Sequence, residues 1–383
     1  MLKKFRGFRE KLSPGTRKII SNTVWLYFDR IFGKGLTLIV SVFVARYLGP
    51  TRLGSLSFAI AIVTLVGIIA KLGLDRLVVR DMVRKPENKD EILGTAFVLK
   101  VIGGFISLFL AVGVVFVLRP QERLTLALVA IIAGGNIFLA FDVIELWFQS
   151  QVESKYTVIA KRGAYIISSL VTILLVQFEA SILAFAGVKA VEPILIGVGL
   201  ISVFQVHHSL TAWRWNFNRA MTLIQESWPL ILTSLAITIY MKVDTIMLGK
   251  MAGDDVVGVY SAAVRISESW YFIATSLVAS AFPSIVKARE VSQELYYKKL
   301  QQLFNLMALI AYAIAIPMTF LSTPTVLLLY GPEYLDSGAI LAVHIWASLF
   351  VFMGVVQNPW NITVFGLIFL IINWLKLVNN LLS

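Results

Sequence analysis

Asp29, Arg30 and Lys34 interrupt the otherwise apolar run VWLYFDRIFGKGLTLIV, with Arg30 and Lys34 one helical turn apart. The pattern recurs along the chain. Asp142 and Glu145 share a helical face with Gln149, Lys189 precedes Glu192, and Arg265 precedes Glu268. Guanidinium and ammonium groups hold phosphate, the former bidentately. Arg30 and Arg265 are therefore the candidate ligands of an anionic substrate, with a diphosphate headgroup the natural fit. The carboxylates Asp29, Asp142, Glu145, Glu192 and Glu268 are candidates for ion coupling or for cavity ion pairs. Lys189/Glu192 and Arg265/Glu268 have the i,i+3 spacing at which opposite charges neutralise each other along one helix. Catalytic chemistry finds little footing. The chain has no cysteine, His207, His208 and His344 lack ligand spacing, and no Walker A loop is present. No enzyme activity, metal or cofactor is expected.

The medium around these charges follows from composition. Of 383 residues, 58% are hydrophobic and 15% charged, and the mean hydropathy is +0.82. A soluble domain carries about 45–50% apolar and about 25% charged residues, so lipid must solvate most of this chain. A charge at the centre of a membrane helix costs about 2.5–3.5 kcal/mol. Six of them (Asp29, Arg30, Lys189, Glu192, Arg265, Glu268) would cost about 18 kcal/mol facing lipid, against a net stability of about 5–15 kcal/mol for a typical protein. They must pair or line a wet cavity. For Lys100, Lys242 and Asp244, nearer the ends of apolar runs, helix-gluing ion pairs or snorkelling suffice.

A helix of about 20 apolar residues crosses a hydrocarbon core. Runs of that kind lie near 19–45, 53–72, 93–117, 124–148, 157–177, 179–205, 225–248, 258–282, 299–322, 337–357 and 361–379. The expected fold is all-α, a polytopic transmembrane bundle of about eleven spans. The basic start MLKKFRGFREKLSPGTRKII has no signal-peptide core or cleavage site, so the first span is its own insertion signal. With the N-terminus in the cytoplasm, 21 basic residues fall in inside segments and five (Arg46, Arg52, Arg119, Arg123, Lys250) in outside ones. That asymmetry sets orientation. It also explains the +12 net charge without nucleic acid, because the charges are spread over separate short segments. The segment LDRLVVRDMVR at 74–84 places Arg76, Arg80 and Arg84 four residues apart, as in a helix lying against anionic headgroups.

An internal repeat organises the spans. Leu48-Gly49 aligns with Leu248-Gly249, which sets Gly54-Ser55-Leu56-Ser57 against Gly258-Val259-Tyr260-Ser261 after a small insertion. Both links follow an outward-going span, so the repeats are parallel, a common transporter plan. The division expected is a basic cytoplasmic segment 1–18, a six-helix lobe 19–205, a cytoplasmic linker 206–224 and a second lobe 225–383. Arg30 and Arg265 occupy related places in the two lobes.

Four stretches in this order carry a family resemblance: VWLYFDRIFGKGLTLIVSVFVARYLGPTRLGSLSFA, KLGLDRLVVRD, VDTIMLGKMAGDDVVGVYSAAVRISESW with AFPSIVKARE, and LLLYGPEYLDSGAILAVHIWASLF. Over roughly 1–357 the chain resembles the Wzx-type oligosaccharide/polysaccharide flippases of the multidrug/oligosaccharidyl-lipid/polysaccharide exporter superfamily. The resemblance implies a two-lobed, V-shaped bundle alternating between inward-open and outward-open states in the bacterial inner membrane. It implies flipping of undecaprenyl-diphosphate-linked oligosaccharide units for exopolysaccharide biosynthesis, beside polysaccharide polymerase and export proteins. Cationic cavity residues are part of the family pattern, matched by Arg30 and Arg265 and more weakly by Lys34 and Lys189. Such proteins usually have twelve or more spans. The tail NPWNITVFGLIFLIINWLKLVNNLLS is therefore expected to leave the second lobe incomplete, through truncation or a frameshift.

The rival readings are a drug/cation exporter of the same superfamily, a membrane-embedded polymerase, ligase or glycosyltransferase, and an inactive truncated remnant. A cation exporter would want an acid-dominated cavity, and an enzyme a sizeable outer loop with catalytic groups. The orientation gives a direct test. With Gln121→Cys introduced into this cysteine-free chain, an impermeant thiol reagent is expected to label intact cells; labelling only after membrane disruption would reverse the topology.

Overall fold

Glycine sets the first bend. Helix α1 (Pro14–Val66) is broken at Gly49, which takes φ 67° and ψ 173°, a region open essentially to glycine alone. Pro50 opens the second arm at a position where a missing N–H costs no helical bond. The computed structural model describes residues 14–206 and 208–357, with side chains from Gly35 onward. After α2 (Ile68–Lys71), Leu72 and Gly73 turn the chain with φ of 53° and 61°. Helix α3 (Asp75–Arg84) is amphipathic and buries Leu77, Val78 and Met82, while Arg84 is exposed.

Helices α4 (Lys89–Leu118), α5 (Arg123–Asn136), α6 (Asp142–Ser150), α7 (Ser154–Gln177), α8 (Ile182–Phe204) and α9 (Phe217–Met251) follow. Then come α10 (Asp254–Glu268), α11 (Tyr271–Val291), α12 (Gln293–Tyr330), α13 (Ser337–His344) and α14 (Ala347–Gln357). Nine segments among the described residues are long and apolar enough to cross a membrane. Eight match the third to tenth expected spans one for one. The ninth, Gly35–Arg84, takes in the end of the first and the whole of the second, which α1 joins across the Gly49 bend. The expected span at 361–379 lies outside the described residues. The chain is a multi-pass membrane protein, and its helices expose large apolar side chains such as Phe109, Leu170 and Phe320 because lipid, not water, covers them.

The chain forms two compact units, Met1–Ser261 and Ala262–Ser383. In the first, α1 packs on α7 and α9, α4 on α5, and α8 on α5 and α7. Its core gathers Leu74, Val78, Ile92, Val143, Ile144 and Leu200. In the second, α12 packs on α11, α13 and α14 around Ala274, Met307, Ala311 and Phe352.

At one end of the first unit the repeat becomes visible as a contact. Gly253 has φ 90° just before α10, as Gly49 has φ 67° just before the second arm of α1. A β-carbon on Gly54 would overlap the Asp254 carbonyl, and one on Gly258 would overlap the Pro50 carbonyl. Pro50/Gly54 and Asp254/Gly258 thus cross reciprocally, each glycine against the other helix's first residue. Thr51 donates a long hydrogen bond to Asp255 (3.4 Å) and Ser55 donates to Asp254. The four-residue insertion in the repeat lies between Gly249 and Gly253, so Gly253 is the structural counterpart of Gly49. Valine at Gly54 or Gly258 must displace backbone, and overpacking of this kind costs about 1–3 kcal/mol. Either variant should melt below the parent in detergent, while Gly113→Ala, on an exposed helical face with open space, should not. Unchanged melting of Gly258→Val would refute the crossing.

Candidate functional site

Lys71 ends α2, and the turn at Leu72 and Gly73 brings α3 back against α6. A short 3-10 stretch, Ile137–Phe141, re-aims the chain before α6 begins at Asp142. These breaks produce a cavity of about 480 Å³ lined by Lys71, Asp75, Arg76, Asp142, Glu145 and Lys161, with Gln149 at its edge. Asp142, Glu145 and Gln149 all face it.

Two ion pairs organise its wall. Lys161 on α7 pairs with Glu145 on α6. Lys100 on α4 donates to Asp75 at 2.8 Å, and its side chain is only 3% exposed whereas that of Asp75 is 53% exposed. The sequence reading of Lys100 as a helix-gluing pair fits this geometry. Asp142 makes no ion pair with a described residue, so it is the carboxylate of this cavity left to water or to a ligand.

Beside Lys161, Arg162 lies against α1. Its guanidinium fills the space a β-carbon on Gly33 would need, and its charge sits 5.6 Å from the Tyr165 ring centroid. One turn on, the Tyr165 hydroxyl donates to Thr37 at 2.8 Å. Arg162 therefore packs where Arg30 and Lys34 flank Gly33 in the sequence. Asp29, Arg30 and Lys34 are in α1, and their side chains lie outside the described residues.

The remaining expected residues are elsewhere. Lys189 and Glu192 pair along α8 at 3.5 Å and do not line this cavity. Arg265 and Glu268 sit half-buried on α10 and, against the i,i+3 expectation, form no ion pair with each other or with another described residue. Near the end of α9, Asp244 accepts from the Tyr260 hydroxyl, a contact with a neutral group in place of the ion pair or snorkelling expected there. His344 bonds Ser267 at 2.9 Å and His208 meets Lys89 at 3.1 Å; His207 lies outside the described residues.

Sequence reasoning passed over Lys161, in the cavity wall, and Arg162, against α1, and counted both among the 21 inside basic residues that set orientation. Their helix starts at Ser154, two turns earlier, and the signal available was their position within an uninterrupted helical run. It also missed Arg119, read as a loop residue. Arg119 is buried, 2.6 Å from Asp254 and 2.7 Å from Glu122, over the Phe58 ring at 3.9 Å, and it donates to the Gly249 carbonyl.

The model of the polysaccharide biosynthesis protein family matches residues 19–289. The chain belongs to that family. Among curated relatives, a Shigella dysenteriae protein described as an O-antigen transporter is 24% identical over 194 residues, 51% of this chain and 48% of that protein. A Haloferax volcanii protein described as a flippase, AglR, is 27% identical over 189 residues, 48% of this chain and 38% of that protein. The chain thus spans less than half the length of either relative. In fold it is similar to an inward-facing multidrug resistance MATE family transporter of the MOP superfamily, with TM-score 0.61, 14% identity, and coverage of 90% of this chain and 87% of that one. An outward-facing form gives TM-score 0.59 at 12% identity, covering 92% and 85%. At these identities the likeness is one of fold.

The Lys100–Asp75 pair predicts an asymmetry. Asp75→Ala strands a buried ammonium, and breaking such a pair costs about 3 kcal/mol. Lys100→Met removes the charge and keeps the volume, so it should stay within about 1 kcal/mol of the parent. Thermal unfolding in detergent separates the two; equal destabilisation would mean that the pair does not carry the effect.

Proposed function

We propose that the protein flips lipid-linked oligosaccharide, carried on undecaprenyl diphosphate, across the bacterial inner membrane for polysaccharide assembly, without chemically altering it. The observation that carries this reading is the placement of cations within the membrane helices of a polysaccharide biosynthesis family member. Arg162 lies inside α7 against α1, and the neighbouring Lys161 lines the cavity of about 480 Å³ that also holds Lys71 and Arg76. A diphosphate crossing hydrocarbon needs such donors, since each charge left without a partner there is costly. The descriptions of the two relatives, O-antigen transporter and flippase, support the same substrate class.

Arg30, Lys34 and Arg265 extend the cationic set in this reading. Lys189 is the weaker member because Glu192 already neutralises it. Asp142 and Glu145 supply the ion-responsive carboxylates, with Asp29, Glu192 and Glu268 in reserve. The lobes divide as 19–205 and 225–383 around the linker 206–224, with residues 1–18 and the linker in the cytoplasm. Polysaccharide polymerase or export proteins receive the product.

A drug/cation exporter is the alternative that the MATE-like fold brings forward. It fits less well, because Lys71, Arg76 and Lys161 repel an organic cation that would approach the polar wall. In cells lacking their own flippase, the Arg30→Ala, Arg265→Ala double variant should lower polysaccharide export by about tenfold or more, the effect of losing charge-assisted hydrogen bonds, at equal membrane abundance. Full export by that variant would remove these two arginines from the substrate path. Cation efflux with no effect on polysaccharide would favour the exporter.

A further inference from the structure

A second polar cavity lies in the first unit, at the end opposite the Pro50–Gly258 crossing. It measures about 430 Å³ between α3 and the start of α9. Its wall carries four cations, Arg80, Arg84, Lys85 and Arg219, and three carboxylates, Asp81, Glu91 and Glu226. The carboxylates are already engaged. Arg80 bridges Asp81 at 2.7 Å and Glu226 at 2.6 Å, while Arg219 bridges Glu91 at 2.6 Å and Asp81 at 3.8 Å. This alternating chain ties α3, α4 and α9 together and leaves Arg84 and Lys85 with no ion pair to any described residue. Both are exposed, and the hydroxyl of Thr222 and the amide of Asn218 line the same cavity.

We propose that this cavity binds a phosphate group, held by Arg84 and Lys85 with Arg80 behind them, and that the phosphate belongs to an anionic phospholipid. Two unpaired cations beside neutral hydrogen-bonding groups suit a singly charged phosphodiester. The lipid source follows from the surroundings. Val83, next to Arg84, is 63% exposed, and α3 presents its cations from the end of a bundle of membrane helices, where headgroups lie. A bound phosphate competes with Asp81 and Glu226 for Arg80, so lipid occupancy acts on the links between α3 and α9. This is a defined site, distinct from diffuse attraction of a basic surface.

The test is lipid retention by the purified full chain in detergent, read by native mass spectrometry. Dioleoylphosphatidylglycerol, dioleoylphosphatidylcholine and inorganic phosphate are titrated separately. One basic residue near an anionic surface contributes about a fivefold preference, so Arg84→Gln with Lys85→Gln should weaken phosphatidylglycerol binding about 25-fold. Arg84→Lys with Lys85→Arg should restore it, which guards against loss through misfolding. Lys155→Gln, an exposed basic residue outside this cavity, should bind as the parent does. Retention unchanged in the double glutamine variant, or lost equally in Lys155→Gln, overturns the site. Binding of inorganic phosphate that depends on Arg84 and Lys85 supports the phosphate site and moves its source from lipid to solution.

Discussion

Ionised groups inside hydrocarbon must meet a partner or water, and that requirement fixes where the helices of this protein touch. Several of the charges that the helices carry are placed at helix junctions. Lys100 ties α4 to the start of α3 through Asp75, and Lys161 ties α7 to α6 through Glu145. Arg119 joins the end of α4 to α10 through Asp254. Burial of apolar area cannot choose among helix faces in lipid as it does in water, because lipid tails are as apolar as the side chains. Polar contacts and close small-residue packing must make that choice, and both are present at these junctions.

The Pro50–Gly258 crossing shows the second of these forces. Two helices begin beside each other, each after a glycine with positive φ, and each lets the other's backbone approach through a residue without a side chain. The helix starts bring partial positive charge together. Asp254 and Asp255 in the first turn of α10 offset that charge and accept from Ser55, Thr51 and Arg119. Sterics and electrostatics therefore agree on one geometry at this end, where the repeat-related residues are themselves the contact.

Much of the architecture was legible because membrane spans advertise themselves by composition. Eight spans and the pair joined at Gly49 follow from hydropathy and glycine-proline punctuation. The glycines of the repeat could be aligned, although their mutual contact could not be foreseen, since an alignment places residues in equivalent positions and says nothing about touching. The site was less legible for a definite reason. Spacing along one helix identifies Lys189/Glu192 but suggests Arg265/Glu268 equally well, and only the first forms. Pairs between helices leave no trace in spacing: Lys161 and Glu145 are neighbours because α6 and α7 fold back on each other. Lys161 and Arg162 looked like topology charges since the helix beginning at Ser154 starts in polar sequence, before its apolar part.

The pairs also differ in how readily they can be exchanged. Lys100 and Arg119 are almost wholly buried, but one partner of each, Asp75 and Glu122, is about half exposed. An exposed carboxylate can trade its partner for water at small cost, whereas the buried cation cannot. Each pair is thus anchored on the cation's side and loose on the carboxylate's. In the proposed reading, the protein has to move an anion past such cations and then let it leave. An arrangement in which carboxylates yield while cations stay put gives an anionic phosphate a set of fixed donors and displaceable competitors. Ion pairs buried on both sides would hold the helices more tightly, and they would leave no cation free to exchange its carboxylate for another anion.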